Sequence, residues 1–405
     1  MSTQLARATG SVLESIGNDP YGSFIDETIG IVTRHGGDIV SFAVGSPAPE
    51  ALALARVEEL VADVLARDGV RALNYGLTEG ESELREIIAV DARRRGIDAS
   101  LDDVIVTAGA LQAIDLVCRV FLRPGDVVVA ESPAFANALS AFRNHGAAVL
   151  EVPTDESGID VAAAARAIRR APAPPKLFFV VPNFQNPTGA TLSEERRDAL
   201  LALASSVGAV VVEDDPYGRL RYRGEDLVPI AARSRDRVIH LGSFSKVFLP
   251  GIRVGWAIAD PVTVRRMSAA KQTMDSSTST LSQRLVVAFY RRGGVPAHIA
   301  SLRRLYKEKQ DAARQALTRE FAGTPVRWSD PDGGFYFWME TGVDARRFLD
   351  AALEEGVAFV PGDAFTTTGG FRDALRFSYC APTSDRIGEG VRRLRRAFDR
   401  VADGA

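Results

Sequence analysis

The chain has 405 residues, 46% of them hydrophobic and 25% charged, which is the composition of a globular protein with a large core and room for two domains. Its formal net charge of −3 indicates no general attraction to nucleic acid or to an anionic membrane, and no apolar run is long enough to span a bilayer. The four histidines match no metal-ligand spacing, no signal-peptide pattern opens the chain, and the two cysteines suit a reducing compartment. We therefore expect a cytoplasmic protein that binds no metal, nucleic acid or membrane.

The N-terminal part of the chain predicts one strand followed by helices. A short helix is predicted at 27–32 and a strand at 39–43, where a glycine-proline turn follows. Apolar residues then recur at helical spacing over 51–67 and 81–95, with a glycine-rich turn at Tyr75 between the two helices.

Short β-branched runs alternate with helical stretches in the middle of the chain. The predicted strands are 103–107, 127–130, 148–152, 177–181, 210–213, 238–241 and 254–258. The predicted helices between them are 111–121, 134–143, 161–169 and 193–207. Continuous apolar strands separated by helices predict an α/β fold with a mostly parallel sheet, covered by helices on both faces.

The pattern changes after residue 261 and predicts a second, smaller α+β domain. Helices are predicted at 262–291, 297–321 and 345–354, strands at 333–338, 357–360 and 375–378, and a basic helix at the C-terminus. We expect residues 1–50 to join this smaller domain, residues 51–290 to form the large domain, and residues 291–405 to form the small one.

Lys246 is one of only five lysines and lies in an unusual setting. It follows the predicted strand at 238–241, with Ser243 and Ser245 just before it and Arg253 seven residues after it. An amine beside two hydroxyls and a guanidinium suits pyridoxal phosphate (PLP), because the amine can form an imine with the aldehyde while the other groups bind the phosphate. The alternative is an arginine-rich surface loop with an ordinary solvated lysine.

Two further loops at the ends of predicted strands have residues that suit the same ligand. The turn of Gly109, Ala110 and Leu111 opens a helix, so that its free backbone N–H groups could face an anion, although an ordinary strand-to-helix turn is the better explanation of this segment taken alone. Asn186, in an Asn-Pro-Thr-Gly turn, could donate to a ring oxygen, although such a sequence is usually only a turn.

A third loop carries Asp214, Asp215 and Tyr217 directly after a predicted buried strand. A buried Asp214 could pair with a protonated pyridine nitrogen, and Tyr217 could bond a phenolic oxygen. We expect Asp215 to be a surface or domain-contact charge, since acids at strand ends are usually solvated.

These motifs together resemble the signature of a known family. Asn186-Pro187-Thr188-Gly189, Asp214-x-x-Tyr217 and Ser243-x-Ser245-Lys246-x(6)-Arg253 are similar in order and spacing to the PLP-dependent aminotransferases of class I/II, which have fold type I. Arg376 extends the likeness into the predicted small domain. Residues 41–50 (SFAVGSPAPE) resemble the α-aminoadipate and kynurenine aminotransferase branch.

The resemblance implies roles around the cofactor ring. Lys246 would form the imine, and Asp214 would keep the pyridine nitrogen protonated. Asn186 and Tyr217 would bond the phenolic oxygen, and Phe135 would stack on the ring.

It also implies a phosphate site and a dimer. Ser243, Ser245, Arg253 and the backbone at the turn that contains Gly109, Ala110 and Leu111 would hold the phosphate. Tyr75 matches a tyrosine that reaches the phosphate from a partner subunit, so that a homodimer is implied.

The substrates implied are an amino acid and a 2-oxo acid, exchanged in a ping-pong cycle. Arg376 would bind the α-carboxylate, with Gly45 and Asn186 nearby. The acidic pair Asp26 and Glu27 suggests a basic or amine-bearing substrate side chain, although an acid pair at the start of a helix is an equally good explanation. The same site could instead support elimination, decarboxylation or oxidation, or could belong to a non-catalytic PLP-binding sensor.

Overall fold

The computed structural model describes residues 21–22, 30, 38–53 and 56–403. In chain order, the strands are β1 (Val40–Ser41), β2 (Val104–Thr107), β3 (Val127–Ser132), β4 (Ala148–Asp155), β5 (Gly158–Ile159), β6 (Pro175–Val180), β7 (Val210–Asp214), β8 (Val238–Ser243), β9 (Gly255–Ile258), β10 (Arg327–Trp328), β11 (Tyr336–Glu340), β12 (Val357–Ala358), β13 (Val360–Pro361) and β14 (Ala374–Ser378).

The α-helices in the same part of the chain are α1 (Pro49–Ala53), α2 (Val57–Asp68), α3 (Ser82–Arg94), α4 (Ala110–Phe121), α5 (Ala136–Asn144), α6 (Val161–Ile168), α7 (Glu194–Ser206), α8 (Pro261–Gln272), α9 (Thr280–Arg291), α10 (Val295–Glu320), α11 (Ala345–Glu354) and α12 (Ser384–Ala402). Among these helices there is none with both the length and the apolar surface needed to cross a membrane.

The main sheet has eight strands in the order β2-β9-β8-β7-β6-β3-β4-β5. The strands β4, β3, β6, β7 and β8 are parallel, and β9 is antiparallel to both β8 and β2. The mostly parallel α/β sheet is therefore confirmed, and the eighth strand is the two-residue β5. Because β2, β6, β7 and β8 point the same way, the loops that follow them leave the same edge of the sheet.

The main sheet is buried because its strands are apolar on both faces. Val129, Phe178 and Val211 are each fully buried, and they share one large core with residues of α3, α4 and α9. Strands that are apolar on both faces need helices on both sides to exclude water, which explains the alternation of strands and helices along the chain.

A smaller antiparallel sheet, β10-β11-β14-β13, has its own core with α11 and α12. Strand β1 pairs in parallel with β12, and the ring of Phe42 stacks on Phe377 with centroids 4.0 Å apart. This smaller α+β unit is confirmed. The contacts of residues 40–42 support the proposal that the segment before residue 50 joins it.

Two predicted helices are wrong because each is interrupted. The helix expected at 51–67 is α1 and α2, with Arg56 at a left-handed φ of 47° before the second. The helix expected at 262–291 is α8 and α9, separated by a turn in which Ser276 has a φ of 59°. The first break lies within an apolar stretch, so the apolar spacing does not reveal it. The second lies at the polar run 275–280, a loop signal to which the helix prediction gave too little weight. The helix predicted at 27–32 lies outside the described residues.

Gly390 of α12 allows the helix to pack against the N-terminal strand. A Cβ at this position would lie 2.6 Å from Cζ of Phe42 and 2.7 Å from Cγ1 of Val40. We predict that Gly390→Ala lowers the free energy of unfolding by about 1–3 kcal/mol, because the added methyl overpacks a closed contact. Gly388→Ala, two residues earlier, meets only an arginine tip at 3.9 Å and should stabilise the helix by up to about 1 kcal/mol. Urea unfolding of both variants measures the difference, and equal stability would contradict the packing.

Candidate active site

The predicted site residues on the main sheet are brought to one edge. Gly109 follows β2, Asn186 follows β6, Asp214 ends β7 and Lys246 follows β8. Since these four strands run in the same direction, residues far apart in the chain meet at their carboxyl ends.

Lys246 is half-buried, and its Nζ donates a hydrogen bond to the Gly45 carbonyl oxygen at 2.8 Å. Burial lowers the pKa of its ammonium to about 8, and the nearby cations Arg376 and Arg253 act in the same direction. A lysine with this pKa has a substantial neutral fraction near neutral pH, so that it can act as a nucleophile or as a base.

Asp214 is buried, and its Oδ1 has no hydrogen-bond partner among the described residues. Burial, with a smaller contribution from the charge of Asp215, raises the pKa of this carboxyl to about 7, although Lys246 opposes the rise. A buried carboxylate oxygen without a partner is costly, so this atom marks a place for a donor from a ligand. The protonated ring nitrogen of PLP is such a donor.

The backbone at the start of α4 is open to an anion. Helix α4 begins at Ala110, so the N–H groups of Ala110 and Leu111 have no acceptor within the helix. Gly109 precedes them with a φ of 85°, and a Cβ at Gly255 would lie only 2.6 Å from the carbonyl carbon of Gly109. The close approach of two backbones therefore requires glycine and keeps this turn free of side chains.

Two hydroxyls and a guanidinium lie beside the same turn. Ser243 Oγ donates to Ser245 Oγ at 2.9 Å, and Arg253 Nη1 donates to Ser245 Oγ at 3.4 Å. A Cβ at Gly109 would lie 3.0 Å from the guanidinium carbon of Arg253. A helix start, two hydroxyls and an arginine together match the donor set that a phosphate dianion needs.

Asn186 and Tyr217 are placed to bind a phenolic oxygen. Arg376 Nη1 donates to Asn186 Oδ1 at 2.9 Å, so the amide Nδ2 of Asn186 is left to donate elsewhere. The hydroxyl of Tyr217 is 3.1 Å from that of Tyr336. Burial raises the pKa of Tyr217 well above its ordinary value, so its hydroxyl keeps its proton and can donate it to a ligand.

Arg376 is buried on β14 and joins the smaller sheet to the site. Its Nη2 donates to the Ala43 carbonyl at 2.6 Å, and its Nε has no partner among the described residues. The guanidinium carbon lies 4.5 Å from the ring centroid of Tyr336 and 5.1 Å from that of Phe365. With two of its five N–H groups in use, Arg376 retains donors for a carboxylate.

Phe135 and Tyr75 are the two predicted residues that these contacts do not connect to the rest. Phe135 is partly buried in the turn before α5, where its carbonyl accepts from Ala138. Tyr75 is 89% exposed in the single chain. Its role toward a partner subunit stays a prediction, as does the stacking role of Phe135.

Tyr336 was missed by the sequence analysis. Its ring occupies the space next to Gly45, where a Cβ would lie 3.1 Å from Cζ of Tyr336. The alternation of residues 333–338 predicted a strand but did not indicate which face meets the site. Only the pairing of β11 with β14 places Tyr336 near Arg376.

The expectation that Asp215 is a surface charge is wrong, because Asp215 is only 6% exposed. Its Oδ2 accepts from Arg95 at 2.5 Å and its Oδ1 accepts from Asn183 at 2.8 Å. An acid at a strand end can be buried when a cation from another element reaches it, and Arg95 is 120 residues away in the chain. The acidic pair Asp26 and Glu27 lies outside the described residues.

Comparisons with known proteins agree with this geometry. The family described as "Aminotransferase class I and II" matches residues 38–394. The chain is 40% identical over 383 residues to the 2-aminoadipate transaminase of Thermus thermophilus, with 93% of this chain and 94% of that protein covered. It is 38% identical over 364 residues to the aromatic-amino-acid aminotransferase 1 of Thermococcus litoralis, with 88% and 87% covered.

A solved structure has a similar fold. The α-aminoadipate aminotransferase of Thermus thermophilus, complexed with N-(5'-phosphopyridoxyl)-L-leucine, superposes with a TM-score of 0.88 at 38% identity. The match covers 95% of this chain and 97% of that one.

The lowered pKa of Lys246 predicts how fast the protein without cofactor reacts with PLP. Only the neutral amine attacks an aldehyde, so the rate should rise about tenfold per pH unit below pH 8 and level off above it. Stopped-flow absorbance measures the rate, and borohydride reduction with peptide mapping locates the label.

Lys246→Ala is the control, and it should lose the label. A rate that still rises steeply above pH 9, or a label on another lysine of the wild-type protein, would contradict the assignment.

Proposed function

Because the chain belongs to the class I and II aminotransferases and uses PLP, we propose that it transfers an amino group between an L-amino acid and a 2-oxo acid in a ping-pong cycle with Lys246 as the residue bonded to the cofactor. One observation carries the assignment of the site. The buried oxygen of Asp214 that has no partner among the described residues lies on the same sheet edge as Lys246, whose amine has a lowered pKa. When bound, PLP supplies an aldehyde that condenses with the lysine and a ring that accepts electrons from the α-carbon.

The residues present fit this cofactor. We infer that Asp214 pairs with the ring nitrogen, and that Asn186 and Tyr217 donate to the phenolic oxygen. The phosphate would be held by Ser243, Ser245, Arg253, the turn at Gly109 and the backbone N–H groups of Ala110 and Leu111. Phe135 would cover one face of the ring. The chemistry of these residues supports this arrangement. The phosphate and the phenolic oxygen are acceptors and would each meet donors, and the cationic ring nitrogen would meet a carboxylate.

Lys246 would move the proton in this reaction. Its Nζ, with a pKa of about 8, can accept the proton from the substrate's α-carbon and would give it back at the former aldehyde carbon of the cofactor, on the other side of the nitrogen. The Gly45 carbonyl, which accepts from Nζ at 2.8 Å, gives the amine a resting position beside the N-terminal segment.

Arg376 would bind the α-carboxylate of both substrates. Its contacts with Asn186 and with the Ala43 carbonyl orient the guanidinium and leave three N–H groups for a carboxylate. Because Asn186 also faces the cofactor, the same asparagine would connect substrate position to ring position.

We also propose a homodimer in which Tyr75 reaches the phosphate of the partner's cofactor. The 89% exposure of this tyrosine in the single chain supports the proposal, because a large aromatic side chain gains by burial at an interface. A cytoplasmic location is proposed as well, and the two free thiols Cys118 and Cys380 support it.

The donor is proposed to be one of the amino acids on which the relatives act, 2-aminoadipate or an aromatic amino acid. The basic side chain suggested by Asp26 and Glu27 stays a prediction. A screen of donors and acceptors, with products identified by mass spectrometry, tests the reaction itself. A 2-oxo acid formed together with an equal amount of new amino acid supports transamination. Release of ammonia would indicate elimination instead of transamination, and consumption of oxygen would indicate oxidation. The absence of any product would indicate a non-catalytic sensor.

Arg376→Gln tests the carboxylate contact. The change removes two charge-assisted hydrogen bonds of about 1.5–3 kcal/mol each, so kcat/KM should fall about 10²–10⁴-fold, largely through KM. Steady-state kinetics with an amino acid and with its decarboxylated amine separates the roles. The amine lacks the carboxylate, so its slow turnover should change far less, and an equal loss for both substrates would contradict the assignment.

A further inference from the structure

We propose that Arg95, directly after α3, is a positioning residue of this enzyme that controls the charge of Asp214 through Asp215. The inference rests on the proposed role of Asp214 toward the ring nitrogen, and it extends that role to a residue at the end of a helix outside the cofactor site.

Two buried carboxylates follow each other at the end of β7, and they have different partners. Asp214 Oδ1 has none among the described residues, whereas both oxygens of Asp215 are engaged. Arg95 Nη2 lies 2.5 Å from Asp215 Oδ2, and Asn183 Nδ2 donates to Asp215 Oδ1 at 2.8 Å. The Asp215 side chain is 0% exposed and that of Arg95 is 26% exposed, so solvent reaches the pair from the arginine side.

The same ion pair shapes the turn that leads to Tyr217. A Cβ at Gly218 would lie 2.5 Å from Asp215 Oδ1 and 2.8 Å from its Cγ. The turn is therefore closed around the carboxylate of Asp215, and the backbone N–H of Asp215 is held by the Leu241 carbonyl at 3.0 Å. Holding Asp215 thus fixes the path of the chain between Asp214 and Tyr217.

Several charged or titratable groups face this pair. Those that act on Asp214 or feel its charge are Lys246, Tyr217 and Glu131, and those around Asp215 are Arg95, His240, Glu213, Arg197 and Arg221. His240 Nδ1 lies 2.9 Å from Glu213 Oε2, so these two groups are already paired with each other.

Arg95 compensates the charge that would otherwise disturb Asp214. Burial alone would raise the pKa of Asp215, yet Arg95 and His240 hold it at about 2. The charge of Asp215 in turn raises the pKa of Asp214. Without Arg95, two adjacent buried carboxyls would compete for one negative charge, and Asp214 would lose part of its charge to a proton.

Opposite charge changes at the two positions test the proposal in the holoenzyme. The readout is the midpoint of the pH-dependent change in the absorption of bound PLP. Because the protonated chromophore is the more positive form, loss of the positive charge of Arg95 raises this midpoint, and partial protonation of Asp214 offsets only part of the rise. Arg95→Gln should therefore raise it and Asp215→Asn should lower it, each by up to about one unit, while the double variant should return toward the wild-type value.

The kinetics should follow the same order. A less charged Asp214 weakens the pairing with the ring nitrogen, so kcat of Arg95→Gln should fall about tenfold, the equivalent of one pKa unit, and recover in the double variant. The dissociation constant of PLP, measured by equilibrium dialysis, gives a readout that does not depend on turnover, and it should rise in Arg95→Gln only.

Matched controls separate charge from packing. Arg94→Gln removes a cation from the exposed neighbouring position on the same helix and should leave the midpoint unchanged. Arg95→Lys keeps the charge and should retain most of the wild-type midpoint. If Arg95→Gln does not fold, a lowered midpoint in Asp215→Asn, absent in Arg94→Gln, supports the charge link.

The proposal would be overturned by midpoints that move in the same direction in Arg95→Gln and Asp215→Asn, or that do not move in either. The ion pair of Arg95 and Asp215 would then have only a structural role. This outcome is distinct from failure of the proposed function, which would show as a wild-type protein that forms no oxo acid. The spectral titration needs only bound cofactor.

Discussion

A buried carboxylate with one oxygen left without a partner is the constraint on which this structure depends. Taking Asp214 out of water costs free energy that only a nearby cation or donor offsets. Within the chain, Lys246 opposes the resulting rise in pKa, and Arg95 compensates the neighbouring Asp215. In the proposed function, a ligand with a protonated ring nitrogen would meet the remaining deficit, so that the architecture of the sheet edge and the choice of cofactor would follow from the same electrostatic requirement.

The site also depends on contacts between the two sheets. Arg376 belongs to the smaller sheet, but its guanidinium donates to Asn186 of the main-sheet loops and to the carbonyl of Ala43. The N-terminal segment closes the site from a third direction, since the Gly45 carbonyl accepts from Lys246. In the proposed function, substrate and cofactor would therefore be bound by three parts of the chain, which form the site only when they pack together.

Local chemistry determined much of the fold in advance. Strands such as β2, β6 and β7 are runs of mostly apolar residues buried on both faces, so the apolar pattern predicted them. The two-residue β5 and β10 are too short to carry a pattern. The break at Arg56 escaped because a positive φ at a residue other than glycine leaves no mark in the apolar periodicity, whereas the break at Ser276 lies in a run of Ser and Thr residues that is typical of a loop.

Lys246, its serines and Arg253 lie within one short segment whose spacing survives folding, so the residues alone indicate which groups are available to a phosphorylated aldehyde. The order of strands and helices also predicts that these groups meet Asp214, since parallel strands deliver their ends to one edge. The contacts of Tyr336 with Tyr217 and of Arg95 with Asp215, between residues 119 and 120 positions apart, are visible only in the folded chain. A side-chain contact between such distant elements depends on how whole helices and sheets pack, and no local spacing records that packing.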